Sequence, residues 1–238
     1  MSALPQFIAE PPGSGTMYVW ELPVRVTHWL IFLSILVLAV TGFYIGDPFI
    51  TVSGPAREHF VMGTMRVIHL YAAIVFTLSV FLRVYWMFAG SYYARWHQFI
   101  PVTRNRLNST WQAMRFYGFR RLDPESYPGH SGLAALAYAA IFVIYFVMIV
   151  TGLALYTACA PAASVFQYFR VLVPILHGLQ TARFIHHIGM WLLLIFMIHH
   201  VYSAILFSVT ERSGIIDSMF SGYKRVKSQA LGESNSDA

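Results

Sequence analysis

Residues 184–209 read FIHHIGMWLLLIFMIHHVYSAILFSV. The stretch holds no Asp, Glu, Lys or Arg, and at about 1.5 Å per residue it is long enough to cross a hydrocarbon core about 30 Å thick. Four histidines interrupt it. Ionisable side chains inside a bilayer are costly and usually functional, so this is the pattern of a membrane helix that handles something polar. Three more apolar stretches accompany it: Trp29 to Ile45, Val67 to Ala89 and Leu133 to Tyr156. Each is close to the ~20 residues a span needs, and each must be a single helix because lipid cannot satisfy an open backbone. Pro23 suits a first helical turn, so the first span is expected to begin ahead of Trp29. The second is expected to extend back toward Pro55, and Gly214 to stop the fourth.

Composition agrees. Of the 238 residues, 57% are hydrophobic and 11% are charged, where a soluble domain carries about 25% charged residues; the mean hydropathy is +0.58. The expected fold is all-α, a polytopic membrane four-helix bundle. The formal net charge of +6 reads as a topology signal rather than a nucleic-acid footprint, because Lys and Arg collect on the cytoplasmic side of a membrane. The loop 91–132 carries Arg95, Arg104, Arg106, Arg115, Arg120 and Arg121 against Asp123 and Glu125, and the tail adds Arg212, Lys224, Arg225 and Lys227. With Arg25 on the same side, these outnumber Arg57, Arg66, Arg170 and Arg183 on the other. Both termini are therefore expected to be cytoplasmic. Residues 1–20 form an N-terminal cytoplasmic segment, 21–213 the transmembrane domain and 214–238 a cytoplasmic tail, whose polar end from Ser228 is expected to be disordered. Residues 1–20 lack the charged start and apolar run of a cleavable signal. The single cysteine, Cys159, excludes an intrachain disulfide and a thiolate-held cluster within the chain.

Ten histidines are present. His59, His97, His130 and His177 fall in loops or helix extensions and read as interfacial. His28, His69, His186, His187, His199 and His200 lie on spans, where any one alone is satisfied by a bond to a neighbouring helix. Spacing separates them. His186 and His200 are 14 residues apart, which on an α-helix leaves them about 40° apart in direction and about 21 Å apart in depth. The pairs 186/199 and 187/200 diverge by about 140°, and 187/199 by about 120°. Only 186/200 offers two imidazoles on one side of a helix at two depths, the arrangement two stacked cofactors need. Span order supplies the partners: His69 lies at the outer level with His186, and His28 at the inner level with His200. Haem iron takes axial imidazoles, helix bundles build cofactor sites from facing helices, and no Cys-x-x-Cys-His attachment motif is present. The reading is two non-covalent b-type haems, an outer one on His69 and His186 and an inner one on His28 and His200, which makes 21–213 a di-haem domain. The same interval takes His28 to Gly42 and His69 to Arg83. Gly42 would let a flat macrocycle approach the backbone. Arg83 either snorkels to the interface or pairs bidentately with an inner-haem propionate. Spans one and three also share Val-Thr-Gly, at 40–42 and 150–152, an echo too short to establish a duplicated fold.

With these residues in view, the chain resembles the cytochrome b subunits of membrane-bound nickel–iron hydrogenases. The likeness runs from about Tyr18 to Lys224 and rests on WELPVRVTHW (20–29), VTGFYIG (40–46), RVIH (66–69), RVYW (83–86), HHIGMW (186–191), HVY (200–202) and MFSGY (219–223). The family's haem-ligand histidines fall on His28, His69, His186 and His200. The resemblance implies a multi-pass protein of the bacterial inner membrane that receives electrons from a periplasmic hydrogenase of small and large subunits. It would reduce quinone near the inner haem, with Tyr202 and the loop 91–125 as candidates for that site. It implies electron transfer without hydrogen chemistry in this chain, which has no thiolate set for nickel and iron. Two departures bear on partner docking: Arg183 stands where another histidine is expected, and loop 158–182 lacks an acidic residue.

Other readings stand beside this one. Cytochrome b subunits of formate dehydrogenase and thiosulfate reductase share the two-haem plan. A proton-coupled transporter using the histidines and Arg83 would need a polar pathway, for which span three offers only Tyr138, Tyr145 and Thr151. A haem-free membrane anchor would leave the histidine spacing as coincidence. A reduced-minus-oxidised absorbance spectrum separates the last two from a haem protein.

Overall fold

The computed structural model describes residues 7–8, 14–49, 54, 60–96, 132–211 and 214–227. Four long helices dominate: α1 (Leu22–Gly46), α2 (Val61–Ala89), α3 (Gly132–Tyr156) and α4 (Leu179–Glu211). All four are long and apolar enough to cross a membrane, as their hydropathy predicts. α1 begins at Leu22, with Pro23 in its first turn where no intrahelical N–H is required. Most helices run past the apolar stretches that mark them, because hydropathy measures only the part inside hydrocarbon while helical hydrogen bonding continues through the interface. α2 begins at Val61, and Pro55 lies outside the described residues. α4 ends at Glu211, and Gly214, with a left-handed φ of +64°, stands at the start of the next short helix. Large apolar side chains such as Leu33, Val40, Leu78 and Ile198 are exposed along the helices, as a lipid-facing surface requires.

The chain divides into two compact units, and each long helix contributes to both. One unit comprises Met1–Thr27, Leu82–Ile141 and Ile198–Ala238. It contains a three-stranded antiparallel sheet of β1 (Phe7–Ile8), β2 (Ser14–Tyr18) and β3 (Tyr223–Lys227), in the order β1-β2-β3. Ser14 pairs with Lys227 and Tyr18 with Tyr223. A short helix, α5 (Ile215–Ser221), leads into β3. Between them Gly222 accepts the N–H groups of Val19 and Trp20 at 2.9 and 3.2 Å. Arg25 donates to the Phe220 carbonyl. The sequence treats 1–20 and 214–238 as separate segments, whereas the structure joins them in one sheet. Such a pairing is set by partners more than 200 residues apart and has no local signal. After α2 the chain turns at Gly90, where a Cβ would lie 2.6 Å from the Trp86 carbonyl. Glu21 then ties α1 to this turn, accepting from Trp86 Nε1 at 2.7 Å and from the Ser91 N–H at 3.0 Å.

The other unit comprises His28–Phe81 and Phe142–Met197. Its interior mixes small side chains, Ser34, Ala39, Thr41, Ser79, Thr151, Ala154 and Ala182, with Tyr44, Phe76, Tyr145 and Leu193. Small residues of this kind let membrane helices approach closely. Edge-to-face rings stitch neighbouring helices, Phe76 on Tyr145 at 5.2 Å and Phe43 on Trp191 at 5.3 Å. The α3–α4 connection contains a 3₁₀ segment, Val165–Val171. It is fastened by Gln167, whose amide donates to the carbonyls of Thr157 and Ala160 at 3.2 and 2.9 Å.

Candidate haem site

The six histidines on the spans fall into two groups. His28, His69, His186 and His200 are half-buried, while His187 and His199 are exposed on the outer surface of α4. In the unit that comprises His28–Phe81 and Phe142–Met197, His69 on α2 and His186 on α4 lie within electrostatic reach of each other. Thr41 of α1 has its Oγ1 2.8 Å from His69 Nδ1. Thr151 of α3 has its Oγ1 2.8 Å from His186 Nδ1. A Cβ built on Gly42 lies 3.5 Å from His69 Cε1, and one built on Gly152 lies 3.4 Å from His186 Cε1. The structure thus brings together His69, His186 and Gly42. It adds Thr41, Thr151 and Gly152, to which the haem reading of the sequence gives no role although the Val-Thr-Gly echo marks them.

His28 stands half-buried early in α1, its ring edge-on to Trp29 with centroids 5.3 Å apart. His200 belongs to the other unit, with its Nδ1 3.5 Å from Tyr138 Oη and its ring tilted at 72° to that of Tyr138. Arg83 lies in the same unit as His200 and is only 7% exposed. Its guanidinium donates to the Ala94 carbonyl at 3.4 Å, beneath the turn that follows α2. It therefore reaches toward the helix end, as a snorkelling Arg does, but is covered by protein. Tyr202 is exposed. His177 is exposed, with a φ of +57° in the turn ahead of α4. His59, His97, His130, residues 97–131 of the long loop and the tail from Ser228 lie outside the described residues.

Among the described residues, no group of three or more His, Cys, Asp or Glu side chains gathers as a bare metal ion would need. Haem makes a smaller demand on the protein, because the macrocycle supplies the equatorial nitrogens and only axial ligands are left to the chain. The donor set fits that demand. His69 and His186 each have Nδ1 engaged by a hydroxyl, which leaves Nε2 as the nitrogen for iron, and each has a glycine backbone beside the ring.

A four-span helical protein with half-buried histidines of this kind is a b-type membrane cytochrome in class, and the chain belongs to the prokaryotic cytochrome b561 family, whose sequence profile matches residues 19–222. It is similar to the probable Ni/Fe-hydrogenase B-type cytochrome subunit of Cupriavidus necator, with 39% identity over 92% of this chain and 91% of that one. The corresponding probable Ni/Fe-hydrogenase 1 subunit of Escherichia coli strain K12 is 37% identical over 88% of this chain and 91% of that one. That of Rhodobacter capsulatus is 35% identical over 91% and 84%. Family membership makes the prosthetic group haem b.

Proposed function

We propose that this chain is the membrane subunit of a nickel–iron hydrogenase of the bacterial inner membrane. It carries electrons from the small subunit of a periplasmic hydrogenase, itself paired with a large subunit, across the bilayer to quinone. The chain carries out no hydrogen chemistry. Bound haem supplies reversible one-electron transfer. The protein's part is to hold two haems at two depths: His69 and His186 for the outer one, His28 and His200 for the inner one, assigned by their positions along α2, α4 and α1. Gly42 admits the outer macrocycle to the backbone of α1. Arg83 neutralises a propionate of the inner haem. Quinone is reduced on the cytoplasmic side, near Tyr202 and the loop 91–125. The partner assignment is supported by relatives named as hydrogenase cytochrome subunits; formate dehydrogenase-type and thiosulfate reductase-type partners have no such support.

The observation that carries the ligand assignment is the division of the histidines, half-buried at 28, 69, 186 and 200 and exposed at 187 and 199. The test is a set of single alanine variants, scored by haem-to-protein ratio and reduced-minus-oxidised spectra. His69→Ala and His186→Ala are expected to lose the outer haem, and His28→Ala and His200→Ala the inner one. His187→Ala and His199→Ala are expected to retain both. Full haem content in all four ligand variants would defeat the assignment, and a spectrum without haem in the wild-type protein would leave only a membrane anchor.

A further inference from the structure

Two hydroxyls touch His69 and His186, and counting their protons decides what they do. Thr41 Oγ1 lies 2.7 Å from the Val37 carbonyl, one turn back on α1, as well as 2.8 Å from His69 Nδ1. Thr151 repeats the arrangement on α3, at 2.7 Å from the Val147 carbonyl and 2.8 Å from His186 Nδ1. A threonine hydroxyl has one proton to give and lone pairs to receive. A carbonyl oxygen can only accept. At 2.7 Å two oxygens with no proton between them would repel, so each hydroxyl proton goes to its carbonyl. The same conclusion holds if the proton turns to the Leu38 or Met148 carbonyl, each 3.3 Å away. The hydroxyl oxygen is then left as an acceptor, and the histidine must donate: Nδ1–H of His69 to Thr41, and Nδ1–H of His186 to Thr151. A neutral imidazole protonated at Nδ1 carries its free lone pair on Nε2.

Each threonine is followed by the glycine that borders Cε1 of the same ring. Both threonines are almost fully enclosed, Thr41 at 4% and Thr151 at 1% exposure. One Thr-Gly pair on α1 therefore grips an imidazole of α2, and an equivalent pair on α3 grips an imidazole of α4.

We infer that Thr41–Gly42 and Thr151–Gly152 are twin positioning elements that fix the Nδ1–H tautomer and ring orientation of His69 and His186, presenting Nε2 of both to one haem iron. The inference rests on the reading of His69 and His186 as that haem's axial ligands. Its consequence reaches the potential. A ligand imidazole that donates its outer N–H to a good acceptor becomes more basic, and a hydroxyl already donating its own proton is a strengthened acceptor. A more basic ligand favours ferric over ferrous iron, so each threonine holds the outer haem's potential down.

The experiment compares Thr41→Val and Thr151→Val, which keep the side-chain shape and remove the acceptor, with Thr41→Ser and Thr151→Ser, which keep it. Full-length haem-loaded protein is titrated for both midpoint potentials and examined by electron paramagnetic resonance in the ferric state. Each valine variant is expected to raise the outer haem's potential and change its low-spin signal, and the inner haem is expected to stay unchanged. The double variant is expected to shift the potential further than either single one, and the serine variants to return toward wild type. Where a valine variant does not accumulate, Thr→Ala, which only removes atoms, is expected to give the same shift. Valine or alanine variants with the wild-type potential and signal overturn the inference, as do serine variants that behave like valine. His69→Ala and His186→Ala keep the two levels apart: loss of the outer haem there beside unchanged threonine variants sinks only this inference, whereas full haem content sinks the ligand assignment beneath it.

Discussion

Gly42→Ala sets the fold and the prosthetic group against each other, so its outcome is informative in sign. A Cβ on Gly42 lies 3.5 Å from His69 Cε1 and 3.7 Å from Met190 Sδ, both ordinary contact distances. The polypeptide alone therefore accepts alanine. Gly42 lies inside α1, where replacing glycine gains about 0.8–1.0 kcal/mol in helix propensity. A macrocycle lying against the backbone of α1 reverses the balance at the site. An extra methyl in a filled space costs about 1–3 kcal/mol, which weakens haem binding by about 5-fold to about 150-fold. Gly42→Ala is thus expected to give a chain that accumulates as well as wild type but holds less outer haem. The haem-to-protein ratio after purification measures the loss, and unfolding of the haem-free chain in detergent measures the gain. Full haem content with both potentials unaltered would refute the contact between macrocycle and glycine.

Further outcomes follow from other features. Arg83→Gln is expected to lower the inner haem's midpoint potential and slow quinone reduction while leaving the outer potential alone; two unchanged potentials in a redox titration would reduce Arg83 to its bond with the Ala94 carbonyl. A cysteine-directed cross-linker placed in 158–182 is expected to capture the hydrogenase small subunit, and capture only from the loop 91–132 would reverse the sidedness. Gly222→Ala is expected to loosen the terminal sheet, because Gly222 holds a φ of +89° and a Cβ there would lie 2.5 Å from Tyr18 Cε2 and 2.8 Å from the Trp20 carbonyl. The left-handed backbone alone costs about 1–2 kcal/mol with a side chain; unchanged resistance of the termini to proteolysis would count against that packing.

What the sequence discloses depends on the range over which each signal acts. The spans are legible because hydropathy is a local sum, and Pro23 marks the start of α1 because its missing N–H is a local fact. The half-buried histidines are legible because a rigid helical repeat carries direction over 14 residues, which separates His186 and His200 from His187 and His199. Thr41 and Thr151 are another matter. Threonine is common in membrane helices, and the role of each depends on which imidazole the neighbouring helix brings to it. The shared Val-Thr-Gly is visible in one dimension, but its meaning is not. Arg83 shows the same limit: its place on α2 is readable, whereas its bond to the Ala94 carbonyl depends on how the chain turns after Gly90. The β2–β3 pairing is the extreme case, since it joins residues as far apart in the chain as Tyr18 and Tyr223.

That sheet also imposes an order of events during biogenesis. β2 leaves the ribosome before β3, with residues 19–222 between them. At typical synthesis rates the interval is roughly 10–40 s. The clasp between Gly222 and the start of α1 closes only after all four helices have been delivered to the bilayer. Until then the start of α1 and the end of α4 are not tied to each other through the strands. A chain interrupted before Tyr223 is expected never to make that tie, because β2 then lacks the strand it pairs with.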